Sequence, residues 1–521
     1  MKRVAIIILA FGLYPAYAQM PRFIRAYGGS NVDVGRSIYH TSDGGYIVGG
    51  YTFSYGAGSA DYILVKLSST GNVQWARVYG GTGADTGVSV IQTSDGGYAI
   101  FGKTYSYGAG SADFLLVKVT STGTVSWAKI YGGVGADEGW RVIQHPTGGY
   151  VLVGSTGSWG PGIDSARNFM VLRIDNSGNL VWGKAYGRSS SRNDEVAYSI
   201  KPTPDGGYIA VGFILWTFPD YDFLVLKISS NGSLQWAKAY GGSGADTAFD
   251  VVVTSGGYLV LGTTSSYGAG GRDIFLIKID NSGNLLWAKT YGTSSNETSR
   301  SIYPTSDGNF VIVGWSGYGG NDNVLILKVD PSGNLIWARS YGGSGGDWGR
   351  SIQETSDGGL VIGGLANSYG AGLDDILVIR TMGDGTIGGT CPVGNPPITV
   401  NTISSVPIST PIMDVVNVST GTGISVSSWP ISLSSFSVTD VCPLSSDGEL
   451  SVPESQTLEG IISVGKGYIR LEGDAEISIY DQGGRLISFI KGSKGTTINL
   501  KPGTYFVVVE GRRLKGKVIV R

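Results

Sequence analysis

The chain has 521 residues, including 85 glycines, and carries a formal net charge of −2 with only 15% charged residues. Glycine is about twice as frequent as in an average protein, but the absence of a Gly-X-Y period excludes collagen. A hydrophobic content of 41% indicates a folded protein rather than a disordered one. The small net charge argues against a nucleic-acid-binding surface.

The first eighteen residues have the pattern of a secretory signal peptide. Lys2 and Arg3 supply the positive start, residues 4–13 the short apolar run, and residues 16–18 (Ala-Tyr-Ala) the small-x-small cleavage site. The apolar run is too short for a membrane anchor, and no other segment approaches the length of a membrane span. We therefore expect export, with Gln19 as the first mature residue.

A unit of about fifty residues recurs seven times, which predicts a repeat architecture. Each copy holds four short apolar runs separated by turn residues, and in the first copy these runs are residues 35–41, 46–52, 61–67 and 73–79. No stretch long enough for a helix shows a 3.6-residue period. Four strands per unit and seven units predict an all-β, seven-bladed β-propeller over residues 19–382. The marker of each copy is a tryptophan before Tyr-Gly: Trp75, Trp127, Trp182, Trp236, Trp287 and Trp337, with Phe23 at the matching place near the start.

The two ends of the array complement each other. The seventh copy supplies three strands, near residues 349–355, 359–366 and 374–381, and no fourth. Residues 23–29 supply a fourth strand that no partner strands precede. We therefore predict that the N-terminal strand completes the last blade and closes the ring. The competing interpretation is an open solenoid, whose ends would not need to be complementary.

Two acidic series repeat with the copies and allow a metal or a turn interpretation. Calcium needs several oxygen ligands, with acids at alternate positions, and no copy offers that arrangement. Asparagine replaces aspartate in the second series, which favours turns that either residue can form. We therefore predict no metal site and no cofactor. The first series is Asp33, Asp85, Asp137, Glu195, Asp246, Glu297 and Asp347, and the second is Asp61, Asp113, Asn168, Asp222, Asp273, Asn323 and Asp375.

Catalytic patterns are scarce. The only two histidines, His40 and His145, suggest neither a Ser/His/Asp triad nor a zinc site. Binding is better indicated, by tryptophans that lie where the copies differ. Such side chains can stack on sugar rings or anchor a protein partner, although they can also fill gaps left by glycines. The candidate ligand-binding residues are Trp140, Trp159, Trp216, Trp315 and Trp348.

Residues 383–446 differ in composition from the repeats. No Lys or Arg occurs between Arg380 and Lys466, and the stretch is rich in Ser, Thr, Val, Ile and Pro. It is typical of a small β segment or a semi-extended spacer. Cys391 and Cys442 fit an oxidising compartment and are predicted to form a disulfide.

The last segment, residues 447–521, resembles the C-terminal sorting domain of type IX-secreted bacterial proteins. The matching pieces are YDQGGR from Tyr480, the strand entry at Leu500, Gly503 and Tyr505, and the final strand KGKVIV from Lys515. The resemblance implies a small β-sandwich, recognition by outer-membrane secretion machinery, and release or attachment at the cell surface. The repeats are similar to secreted bacterial propeller repeats of the kelch-like and delta-60 kind, which share a fold rather than one activity.

These patterns favour an exported, cell-surface or secreted binding or adhesion protein without catalytic activity. The expected ligand is a glycan or a surface protein. Two alternatives remain open: a propeller enzyme acting on polysaccharide, which needs convergent acids beside exposed tryptophans, and a structural component of a surface layer. The position of the five candidate tryptophans in the folded chain discriminates among the three.

Overall fold

The computed structural model describes residues 21–160, 166–189, 194–388 and 393–418, and beyond these the backbone of the strands given below. The described residues form β-strands and turns, with no helix among them. Consequently, no described helix is long and apolar enough to cross a membrane. The predicted signal peptide and Cys391 lie outside the described residues, so cleavage and the disulfide stay predictions.

Six sheets each contain four strands that follow one another along the chain, paired antiparallel, and we call them blades 1 to 6. The first strand, β1 (Phe23–Gly28), belongs to another sheet. Blades 1 to 3 consist of β2 (Asp33–His40), β3 (Tyr46–Thr52), β4 (Asp61–Leu67) and β5 (Val73–Gly80); β6 (Asp85–Gln92), β7 (Tyr98–Thr104), β8 (Asp113–Val119) and β9 (Val125–Tyr131); β10 (Asp137–Gln144), β11 (Tyr150–Thr156), β12 (Asn168–Ile174) and β13 (Leu180–Gly187). Blades 4 to 6 consist of β14 (Glu195–Pro202), β15 (Tyr208–Thr217), β16 (Asp220–Ile228) and β17 (Leu234–Tyr240); β18 (Asp246–Thr254), β19 (Gly257–Thr264), β20 (Asp273–Ile279) and β21 (Leu285–Gly292); β22 (Glu297–Pro304), β23 (Phe310–Ser316), β24 (Asn323–Val329) and β25 (Leu335–Tyr341).

The seventh blade combines the two ends of the array. It contains β26 (Asp347–Glu354), β27 (Leu360–Ala366), β28 (Asp375–Thr381) and β1 in that order. Strand β1 pairs antiparallel with β28, in a register that runs from Phe23 opposite Arg380 to Tyr27 opposite Ile376. The prediction of an all-β protein with seven blades is therefore confirmed.

The hydrophobic core lies between neighbouring blades. One cluster joins Ile38 and Ile63 of blade 1 to Val378 of blade 7, and it includes Phe23 and Tyr27 of β1. All five side chains are at most 1% exposed. Strands such as β4 and β8 are buried along their whole length, because the preceding blade covers one face of each sheet and the following blade covers the other. This explains why their sequences are continuously apolar rather than alternating.

A tyrosine near the end of the fourth strand links every blade to the next. Tyr79, for example, is fully buried, and its hydroxyl donates a hydrogen bond to the Gly123 carbonyl in blade 2 at 2.7 Å. Gly123 has a φ of 79°, a left-handed conformation that favours glycine. The Tyr-Gly marker of the repeat therefore includes an inter-blade connection. The seven pairs are Tyr27–Gly71, Tyr79–Gly123, Tyr131–Gly178, Tyr186–Gly232, Tyr240–Gly283, Tyr291–Gly333 and Tyr341–Gly385.

Residues 394–442, which we call the belt, add an outer strand to blade after blade. An isolated bridge joins Gly394 to Ser340 of β25 in blade 6. The belt strands then pair antiparallel with the fourth strands of blades 5, 4, 3, 2 and 1, and finally with β1. The segment thus follows the ring in the reverse of chain order, and its strands belong to the propeller sheets. They are β29 (Thr399–Thr402), β30 (Ile408–Ser409), β31 (Asp414–Asn417), β32 (Thr422–Ile424), β33 (Ser427–Pro430) and β34 (Ser437–Cys442).

A second compact unit spans residues 443–521. Its strands form one antiparallel sheet in the order β35-β36-β39 and another in the order β38-β37-β40-β41. The all-β character agrees with the expectation for this segment, and the β-sandwich itself stays a prediction. The strands are β35 (Ile462–Gly465), β36 (Tyr468–Leu471), β37 (Ala475–Tyr480), β38 (Leu486–Gly492), β39 (Thr497–Asn499), β40 (Gly503–Val509) and β41 (Leu514–Val520).

Candidate functional site

The first strand of every blade contains an irregularity at the same place. In β2, the pairing with β3 shifts between Gly35 and Ser37, so that Arg36 is the extra residue. Such bulges redirect a side chain away from the regular alternation of the strand. The same shift occurs in β6, β10, β14, β18, β22 and β26. We call the seven extra residues the bulge ring: Arg36, Val88, Trp140, Tyr198, Phe249, Arg300 and Arg350.

One cavity of about 180 Å³ is lined by all seven residues of the bulge ring. Because it touches every blade, it is the central channel of the propeller. Its volume is more than ten times the roughly 10–15 Å³ that one water molecule needs, which leaves room for a small ligand or one sugar ring. The other lining residues are Ser37, Ser89, Arg141 and Ser351.

One side of the channel, formed by blades 3 to 5, is aromatic. Trp140 and Tyr198 meet edge to face with their ring centroids 4.9 Å apart. Phe249 follows at 5.2 Å from Tyr198. The buried indole Nε1 of Trp140 has no hydrogen-bond partner among the described residues. These three neighbours form an apolar wall that carries one free donor, an arrangement suited to stacking against a sugar ring.

The opposite side, formed by blades 6, 7 and 1, carries three arginines. The Arg300 guanidinium lies 4.1 Å from the Phe249 ring centroid, and the Arg350 guanidinium lies 4.8 Å from that of Trp315. The Arg36 guanidinium lies 5.4 Å from the ring centroid of Tyr51, in the same blade. The Nε atoms of all three arginines are buried without a hydrogen-bond partner, and no ion pair to a described carboxylate accompanies them. Aromatic faces alone offset part of the cost of burying these charges.

The environment of Arg300 and Arg350 disfavours their charged form. Burial, followed by repulsion from Arg36 and Arg300, lowers the pKa of Arg350 to about 8. Burial also lowers the pKa of Arg300 to about 10, with Tyr198 opposing the shift and Arg36 adding to it. Strongly perturbed groups that share a cavity are typical of functional sites.

The fourth arginine of the channel is neutralised within the protein. Arg141 lies 3.2 Å from the buried carboxylate of Asp250, which also accepts hydrogen bonds from Ser199 at 2.7 Å and Ser301 at 3.1 Å. Burial works against the charge of Asp250, but Arg141 and then Lys201 outweigh it and lower the pKa of that carboxyl. Asp250 therefore has its partners and is not available to a ligand.

Three of the five predicted tryptophans lie at or beside the channel. Trp140 belongs to the bulge ring itself. Trp315 and Trp348 are stacked, with ring centroids 5.2 Å apart and an interplanar angle of 24°. The guanidinium of Arg350 lies within 5.1 Å of both rings. The two indoles therefore pack against the Arg350 guanidinium on the arginine side of the channel.

The structure places the other two tryptophans away from the channel. Trp159 occupies the place of Tyr107 in the preceding copy and packs in the cluster between blades 2 and 3. Trp216 donates its indole N–H to Asp222 at 2.6 Å, and Arg188 lies 4.7 Å from its ring centroid. Both side chains have contacts within the framework, and they do not join the cluster formed at the channel.

Sequence reasoning missed five of the channel residues: Arg36, Tyr198, Phe249, Arg300 and Arg350. A signal was present, because each follows directly after a Gly, Ala or Ser that is the third residue of the first strand of its blade. That position reads Arg, Val, Trp, Tyr, Phe, Arg and Arg in the seven copies, whereas the residue before it is always small and the residue after it is serine in five copies. Variation inside an otherwise regular repeat marks the position that the framework does not constrain.

The repeated acids form hydrogen bonds to the backbone. Asp33 accepts from the Gly29 amide at 2.6 Å, and Asp61 accepts from the amides of Ala57 and Gly58 at 3.0 and 3.3 Å. Equivalent bonds recur in other blades, for example between Asp113 and preceding amides. This geometry agrees with the turn interpretation. In the described part of the chain, no group of three or more metal-ligating side chains is found.

Comparison with known proteins adds little about function. No protein-family model matches the chain, and no curated protein matches it. The chain is similar to the solved structure of Sqt1 from Chaetomium thermophilum, with a TM-score of 0.41 and 15% identity over 70% of this chain and 85% of that one. It is also similar to a protein of unknown function from Bacteroides caccae (TM-score 0.33, 13% identity, 61% of this chain and 93% of that one). A third likeness is to PorZ, a surface component of the type IX secretion system of Porphyromonas gingivalis (TM-score 0.15, 10% identity, 94% and 99%). At these values, none of the three carries an argument about this chain.

Proposed function

We propose that this protein is an exported, non-catalytic binding protein whose ligand is a glycan, with one sugar ring held in the central channel. The observation that carries the proposal is the aromatic wall of Trp140, Tyr198 and Phe249 inside a cavity that all seven blades line. The cavity volume of about 180 Å³ suits a sugar ring better than a segment of a protein partner.

The lining of the channel favours binding over glycoside hydrolysis. Hydrolysis of a glycosidic bond requires two carboxyl groups on either side of that bond. Among the described residues that line the cavity, none is a carboxylic acid. A purely structural surface-layer component, in turn, gives no reason to leave charged and aromatic side chains facing one cavity. Binding accounts for both features.

Export and sorting complete the proposal. The signal-like residues 1–18 and the C-terminal segment 447–521, which resembles a type IX sorting domain, support a location at the cell surface or outside the cell. The proposed partner for that step is the outer-membrane secretion machinery. N-terminal sequencing of the secreted protein checks the first part, because we expect it to begin at Gln19.

We also propose that β1 closes the ring. The antiparallel register of five residue pairs between β1 and β28 supports this, as does the bond from the Tyr27 hydroxyl to the Gly71 carbonyl in blade 1. That bond repeats the connection found at the other six blade junctions. Phe23, which is fully buried at the same junction, occupies the place of the repeat tryptophan.

A glycan array probed with the mature protein tests the binding function. We expect binding to a restricted set of glycans and a loss of at least tenfold in affinity for Trp140→Leu, because the stacking surface is removed. The matched control is Trp159→Tyr, which introduces the residue found at this position in other copies and leaves the channel intact. Equal affinity of the two variants for the glycans, or no binding to any glycan on the array, would contradict the proposal.

A further inference from the structure

We propose that the central channel selects sugars that carry an anionic group, a carboxylate or a sulfate ester, and that Arg36, Arg300 and Arg350 bind this group. The inference rests on the proposed function, because the aromatic wall is taken to hold the sugar ring. It adds the chemical property by which the site distinguishes one sugar from another.

The first argument is that three charged arginines share the channel without a partner of opposite charge from the described part of the protein. Three like charges share one cavity, and no described carboxylate or hydrogen-bond acceptor satisfies their Nε atoms. Buried charges are normally paired, since an unpaired buried charge destabilises the folded state. Two other arginines follow this rule: Arg380 is buried against Asp357, and Arg188 against Glu195. The three channel arginines lack such a carboxylate among the described residues, and an anionic ligand would supply it.

The second argument is the arrangement of the two sides. The aromatic residues come from blades 3, 4 and 5, and the three arginines come from blades 6, 7 and 1. A ligand in the channel therefore meets an apolar wall on one side and positive charge on the other. A sugar ring with a carboxylate or sulfate substituent matches both sides, whereas a neutral sugar matches one. Guanidinium groups also suit these anions because they donate two parallel hydrogen bonds.

The third argument is that the arginines are held in place before a ligand arrives. The stacked indoles of Trp315 and Trp348 support the Arg350 guanidinium, and Phe249 and Trp315 support that of Arg300. Trp348 is itself fixed by a hydrogen bond to Asp322 at 3.1 Å. Preorganised donors bind more tightly, because less side-chain freedom is lost on binding.

Isothermal titration calorimetry on the mature protein tests the inference. The probes are glucuronate, galacturonate, glucose 6-sulfate, the two neutral parent sugars, and sodium sulfate alone. We expect at least one acidic sugar to bind ten times or more tightly than its neutral parent, with a preference that declines at high ionic strength. Arg350→Gln and Arg300→Gln should each reduce the affinity for the acidic sugar at least tenfold and change that for the neutral sugar less than twofold. The control is Arg77→Gln on β5, whose Nε bonds to the Thr122 carbonyl outside the channel.

A second readout separates this role from a structural one. Because Arg350→Gln removes an unpaired buried charge, the melting temperature of the unliganded variant should rise, although the variant loses its ligand. A structural arginine would lower it. Equal binding of acidic and neutral sugars, or equal effects of the channel and control variants, overturns the inference.

The different probes and variants also distinguish a failure of this inference from a failure of the proposed function. If sulfate alone binds in a manner that depends on Arg350 but no sugar does, the anion site stands and the glycan function fails. If neutral sugars bind in a manner that depends on Trp140 without preference for acidic ones, the function stands and the inference fails. If none of the probes binds, both are wrong. The comparison of uronates with the sulfate ester identifies which anion the site prefers.

Discussion

The hydrogen bond across the proposed ring closure gives a sharp test of the architecture. Tyr27 donates its hydroxyl to the carbonyl of Gly71 at 2.7 Å, and both residues are buried. Tyr27→Phe removes the donor and leaves a buried carbonyl without that partner. Losing such a bond costs about 1–3 kcal/mol, because the carbonyl does not regain water. We therefore expect the free energy of unfolding to fall by that amount.

The matched control uses the same bond at an internal junction. Tyr186 donates to the Gly232 carbonyl at 2.8 Å, between blades 3 and 4. If β1 closes the ring, Tyr186→Phe and Tyr27→Phe should destabilise the protein equally, although one lies mid-chain and the other near the start. Tyr105→Phe, at a half-exposed tyrosine, should change the stability by less than about 0.5 kcal/mol.

Equilibrium denaturation in urea, followed by tryptophan fluorescence, measures all three variants. Closure predicts equal downward shifts of the midpoint for Tyr27→Phe and Tyr186→Phe, and none for Tyr105→Phe. A shift for Tyr186→Phe alone would show that the first strand does not join blade 7 to blade 1 in solution. The open solenoid would then be the better description.

Two further predictions concern pH and the belt. Burial, foremost among the causes, raises the pKa values of Asp113, Asp222 and Asp375 to about 6, so the folded state takes up their protons more readily than the unfolded state. The free energy of unfolding should therefore rise by about 1 kcal/mol or more as the pH falls from about 7 to about 5. In thermal melts, Asp113→Asn should reduce this rise. A free energy of unfolding that falls over this pH range would contradict the raised pKa values. A chain that ends at residue 393 lacks the belt and exposes the outer edge strands, so we expect a lower melting temperature and association by edge pairing in light scattering. A truncated chain that stays monomeric with an unchanged melting temperature would show that the belt does not stabilise the blades.

The sequence predicted best those strands and turns that recur in every blade. Strands β3 and β4 coincide with the predicted runs 46–52 and 61–67, because turn residues bound them and their apolar pattern is continuous. The Tyr-Gly marker was recognised, but not its hydrogen bond, because the bond joins residues in different repeats. The belt was predicted only as a β segment or spacer. Its strands are two to six residues long and pair with partners far away in the chain, which leaves no local periodicity to read.

The channel was harder to predict for a related reason. The framework positions repeat because each contacts a nearly identical neighbour in the next blade. The bulged residue faces the axis, where its neighbours come from all the other blades, so no repeat constrains it. Trp140 was predicted because it is a tryptophan at a position where the copies differ. Arg300 and Arg350 are distinguished from other arginines only when the structure shows that they lack carboxylate partners among the described residues.

The order of the arginines links the architecture to the site. Arg300 and Arg350 belong to blades 6 and 7, and Arg36 belongs to blade 1, which lies at the other end of the repeat array. In an open solenoid, Arg36 would be separated from the other two by the whole array. With the proposed closure, blade 7 lies beside blade 1 and the three charges share one cavity. The contacts of β1 would then hold together the two halves of the proposed anion site as well as the ends of the ring.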